Sequence, residues 1–101
     1  MTTTIDKAGH RFYTDSTGQG VSGPVRIRNI DWVSDEGSGK DIAADDDFLL
    51  SDTGGNRIIG KRGEFAGDDF RDGPYTPGIP SDGFTVTTMD GGVCYVTFDR
   101  E

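Results

Sequence analysis

Apolar residues in this chain alternate with polar ones instead of recurring at helical spacing. In residues 24–33, "PVRIRNIDWV", Val25 and Ile27 alternate with Arg26 and Arg28. The apolar phase then slips by one residue to Ile30 and Trp32. Period-two alternation marks a strand with one buried face, and a change of phase by one residue is what a β-bulge does to it. Phe48-Leu49-Leu50 and the residues around Ile58-Ile59 make two short apolar runs. Asp52-Thr53-Gly54-Gly55-Asn56 stands between them, made of residue types that tolerate positive φ. This pattern predicts a hairpin. Later, Phe84 and Val86 alternate with Thr85 and Thr87, "DGG" at 90–92 signals a turn, and Cys94, Val96 and Phe98 alternate again. That is the clearest hairpin signal in the chain.

The remaining segments read as connections. "SDEGSGK", residues 34–40, is a loop. Residues 62–82 hold Gly63, Gly67, Gly73, Pro74, Pro77, Gly78 and Pro80, a density of breakers that predicts no regular element. Phe65, Phe70, Tyr75 and Ile79 lie among them, so this loop is expected to rest against something. Residues 1–23 are small and polar apart from Phe12-Tyr13, and read as an extended arm with a short strand at 11–14. The expected organisation is an arm at 1–23 and a β domain at 24–101 with its Gly/Pro-rich loop at 62–82. The fold class is all-β: a small antiparallel β-sandwich or partial barrel with an extended N-terminal arm. Ile27, Ile30, Trp32, Leu50, Val86, Val96 and Phe98 are the expected core.

Composition strengthens this reading. Of the 18 acidic residues 15 are Asp, beside 16 Gly, while Leu occurs twice and Ala four times. Turn formers are abundant and strong helix formers nearly missing. A length of 101 residues makes one domain, and a 32% hydrophobic content is a thin supply for its core, so burial against a partner subunit would add stability. The net charge of −8 repels a phosphate backbone and argues against nucleic-acid binding. Cys94 is the only cysteine, so no intrachain disulfide forms and the fold needs no oxidising compartment. No apolar run approaches the length that spans a bilayer, and the chain is expected to mature in the cytosol where it is made.

Candidate chemistry is sparse. Asp52-Thr53-Gly54 has the signature of a retroviral-type aspartic protease subunit, in which two such carboxylates share a proton across a dimer. In that family an apolar-apolar-Gly near the chain's end packs behind the catalytic loop. Here Ile58-Ile59-Gly60 follows almost at once, and polar Ser51 precedes Asp52. The motif is therefore read as a turn. His10 is the sole histidine and has no visible partner; Cys94 reads as a small buried hydrophobe. Asp45-Asp46-Asp47, with Asp41 or Asp52, is an oxygen-rich cluster that lacks calcium-loop spacing. The expectation is no enzyme, no catalytic residue, no metal and no cofactor.

Three stretches resemble small β-rich virion proteins of tailed bacteriophages: Ile27, Ile30 and Trp32; Asp52, Gly55, Asn56 and Ile58; and Thr88 to Gly92 with Tyr95. The resemblance implies a capsid decoration or cement protein that binds the major capsid protein on the outer capsid surface and stabilises capsomer junctions. Such a protein is made in the bacterial host cytoplasm and ends on the virion. A homo-oligomer follows, with a trimer favoured by threefold capsid positions; neither membrane nor nucleic acid is a partner. Phe12, Tyr13, Phe65, Phe70 and Tyr75 are the candidate interface residues, and the arm is expected to serve assembly and not folding. The alternatives are a tail, head–tail or fibre-associated subunit, and a carbohydrate-binding β-sandwich that stacks Trp32, Tyr75 or Tyr95 on sugar.

Overall fold

A computed structural model describes residues 3–6, 10–35 and 40–100. Most of the loop expected at 34–40, and the arm's residues 1–2 and 7–9, lie outside them. The described residues form eight strands and no helix: β1 (Thr3–Asp6), β2 (Arg11–Thr14), β3 (Gly20–Val33), β4 (Asp47–Ser51), β5 (Arg57–Arg62), β6 (Phe70–Asp72), β7 (Ile79–Met89) and β8 (Val93–Arg100). They build one antiparallel sheet in the order β1-β2-β8-β3-β7-β4-β5, with β6 beside β3, and it does not close into a barrel. The all-β class is as the alternation pattern predicts. Among the described residues no helix is long and apolar enough to cross a membrane.

β3 organises the sheet. Its first half pairs with β7, from Gly20 opposite Thr85 to Ile27 opposite Ile79. Its second half pairs with β8, and Ile30 to Trp32 also pair with β6 on the other side. The register against β8 shifts between Ile27 and Asn29, at the phase change read from the sequence. That bulge lets Val25 and Ile27 before it, and Ile30 and Trp32 after it, all point into one core. Gly20 is required where β3 meets β7, since a Cβ there would overlap the Phe84 carbonyl.

The core holds all seven residues expected in it, together with Phe12, Val21, Val25, Ile42, Phe48, Phe84 and Cys94. Edge-to-face pairs run from Phe12 to Phe84 (5.2 Å) and from Phe84 to Phe98 (5.6 Å). Trp32 stacks on Phe48 at 5.4 Å and donates its indole N–H to the Gly91 carbonyl at 2.8 Å. Burial of aromatic area on this scale contributes most of what holds a small sheet together.

Three expectations are corrected. First, β7 and β8 do not pair with each other, because β3 lies between them. The Asp90-Gly91-Gly92 turn instead carries the chain over Trp32 and across the core, so that Phe84 of β7 packs against Phe98 of β8. A strand pair facing across a core has the same alternation as a hairpin. Second, the Gly/Pro-rich segment contains β6, and β7 begins within it at Ile79. Pro80 fits there because that half of β7 has only β3 as a neighbour, β4 pairing from Thr85 onward. Third, the segment expected to be an arm is built into the sheet. β2 pairs with β8 from Arg11 opposite Thr97 to Thr14 opposite Cys94, and Phe12 and Thr14 are fully buried.

Candidate docking surface

The Asp-Thr-Gly stretch closes the β4–β5 hairpin. Asp52 accepts the backbone N–H of Gly54 (2.9 Å) and of Asn56 (2.8 Å) on one carboxylate oxygen, and the Asn56 amide (3.2 Å) on the other. Gly55 adopts φ of +84°, which glycine alone supplies without strain. Those hydrogen bonds, the Asn56 backbone bond foremost, hold the Asp52 carboxyl below its ordinary range. A group whose folded pKa is depressed stabilises the fold fully above the unfolded value of 3.8 and loses that contribution as pH falls through the folded one. The melting temperature is therefore expected to fall as pH drops below about 4, and by less in Asp52→Ala. An unchanged acid slope in that variant would contradict the turn role.

The other candidate groups are engaged locally. Asp46 accepts the Ala43 N–H at 2.8 Å, Asp90 accepts that of Asp47 at 2.9 Å, and Asp47 pairs with Arg62 through two contacts of 2.9 and 3.3 Å. The Arg62 hydrogen bond also lowers the Asp47 pKa. Among the described residues no three His, Cys, Asp or Glu side chains lie together as metal ligands. Cys94 is buried, and burial pushes its thiol pKa far up, which opposes the thiolate a nucleophile requires. His10 stacks on Phe98 at 5.8 Å.

The most differentiated surface is the outward face of β2, β8, β3 and β6. Alternation that buries Phe12, Cys94, Val96, Ile30 and Trp32 sends Tyr13, Tyr95, Thr97 and Asp31 outward. Register then lines them up: Thr4 opposite Tyr13, Tyr13 opposite Tyr95, Tyr95 opposite Asp31, and Asp31 opposite Arg71. The Tyr13 and Tyr95 rings lie 5.0 Å apart, and the Arg11 guanidinium sits 4.9 Å from the centre of the Tyr95 ring. Desolvation raises the pKa of Asp31, with Arg71 and Arg11 opposing it, and desolvation also raises that of Tyr13 ahead of nearby Asp15. The result is a row of two aromatic rings, a carboxylate and two guanidinium groups across four paired strands.

Of the five residues expected at an interface, only Tyr13 joins this row. Phe12 is a core residue and offers no surface, because its position in β2 points the opposite way. Phe70 and Tyr75 are half-buried and packed against the core, Phe70 opposite Trp32. Tyr75 donates its hydroxyl to Asp72 at 2.6 Å and its backbone N–H to the Arg28 carbonyl at 2.9 Å. Phe65 stands 59% exposed in the loop after β5. Asp31, Arg71 and Arg11 were missed as surface partners, and Tyr95 was expected at the surface only as a sugar-stacking alternative. The alternation in residues 93–98 does mark Tyr95 as outward, but neighbours from four separate strands are set by register alone. Trp32 is wholly buried and unable to stack on a sugar. Compared with protein-family models, curated proteins and solved structures, the chain matches none.

Proposed function

We propose that this protein is a non-enzymatic assembly subunit that decorates the outer surface of a bacteriophage capsid, acting as a homo-oligomer. The observation that carries the docking part of this reading is the Tyr13–Tyr95 row, braced by Arg11 and flanked by Asp31 and Arg71. Tyrosine and arginine on a preorganised surface are the side chains that anchor interfaces at low entropic cost. The phage assignment rests on the three sequence stretches that resemble virion proteins, and the net charge of −8 suits a face turned away from packaged DNA.

The test is co-sedimentation of the purified protein with capsids that lack it. The wild type is expected to be retained. Tyr13→Ser with Tyr95→Ser is expected to weaken retention about tenfold or more, the loss of an interface anchor being worth about 2 kcal/mol, while circular dichroism stays unchanged. Equal retention of the folded double variant would remove this face from the account.

A further inference from the structure

We propose that the outer edge of β5 binds an extended acidic peptide segment of a partner protein by strand addition. β5 is the last strand of the sheet, and no described strand pairs with its outer edge. Such an edge presents a row of backbone N–H and C=O groups, a ready template for an incoming strand. Its charge chooses which strand. Within Arg57–Arg62 stand three cations and no acid, in a chain of net charge −8. Like charges oppose two β5 edges meeting across copies, so edge-to-edge pairing of this strand with itself is disfavoured. A segment bearing carboxylates meets the opposite sign.

Two of the three cations already have acidic neighbours within the chain, and an incoming carboxylate has to share or replace them. Arg62 is held by Asp47, and the Lys61 ammonium lies 3.9 Å from an Asp68 oxygen. Arg57 folds back along its own strand, its guanidinium 3.4 Å from the Gly60 carbonyl. Gly60 leaves the room for it: a Cβ there would sit 3.1 Å from the guanidinium carbon. An open trough of about 370 Å³ lies over β4, β5 and the end of β7, lined by these three cations together with Asp47, Leu49, Gly60 and Thr88. β1, at the other end of the sheet, contains no cation in Thr3–Asp6, so the two edges are chemically distinct.

The experiment uses a fluorescent ten-residue peptide alternating Asp with Val, and a control alternating Lys with Val, titrated against the whole protein by anisotropy. Saturable binding of the Asp peptide is expected, weakening at raised salt and falling about tenfold or more in Arg57→Glu with Lys61→Glu. Arg57→Gln is expected to fall between. Circular dichroism checks that each variant is folded, and the amides of β5 are expected to gain hydrogen-exchange protection on binding. No saturable binding, equal binding of the Lys peptide, or full affinity in the folded double variant would overturn the proposal. So would a salt-sensitive dimer, seen by light scattering, that the double variant dissociates; the edge would then belong to a second copy.

Discussion

A chain lacking residues 1–20 is expected not to fold. The deletion removes β1 and β2 and leaves β8 without its neighbour on that side. It also takes Phe12 out of the core, where its ring meets Phe84 edge-on at 5.2 Å. Removing a buried Phe alone costs about 3–5 kcal/mol, against a total stability of about 5–15 kcal/mol for a domain. The single change Phe12→Ala therefore separates packing from truncation. It is expected to lower the urea midpoint steeply with the slope unchanged, whereas the deletion should abolish the cooperative transition. A deletion variant that unfolds cooperatively near the wild-type midpoint would show that β2 merely lies on the sheet. Assembly assays on such a truncation would report loss of fold before loss of grip.

The second large effect concerns Trp32. Its ring stacks on Phe48, and its indole N–H satisfies the Gly91 carbonyl at the corner between β7 and β8. Gly92, at φ of +73°, brings the backbone so close that a Cβ would lie 2.9 Å from the indole nitrogen. Trp32→Ala is expected to cost about 3–5 kcal/mol from the cavity, and the Gly91 carbonyl loses its partner in addition. Trp32→Phe keeps most of the apolar volume and loses the hydrogen bond, at about 1–3 kcal/mol. Thermal melts followed by circular dichroism should rank wild type above Trp32→Phe above Trp32→Ala. Trp32 being the only tryptophan, wild-type emission is expected to be blue-shifted and to move red in urea. If Trp32→Phe matched the wild type, the indole hydrogen bond would not hold the corner.

Where the sequence carried a local signal, the fold was legible. The slip from Ile27 to Ile30 marked the bulge, the Asp52–Asn56 cluster marked the β4–β5 turn, and the seven core residues followed from alternation. What stayed hidden depends on pairing between distant segments. Nothing beside Phe12 in the chain says that it lies across from Val96 in the sheet. Residues 84–98 alternate as a hairpin would, and only the insertion of β3 between β7 and β8 turns them into facing strands. β6 forms among breakers because Trp32 and Ile30 offer it an edge, a tertiary pairing that overrides local preference. The docking row was illegible for the same reason: Arg11, Tyr13, Tyr95, Asp31 and Arg71 come from four strands and meet only through register.

The proposed function makes this protein a stoichiometric part of a phage particle. The direct measurement is the protein composition of purified virions produced by the genome that encodes it, quantified against the major capsid protein. Many copies per particle are expected, in a fixed ratio to the major capsid protein. Particles that are complete, infectious and free of the chain would contradict it.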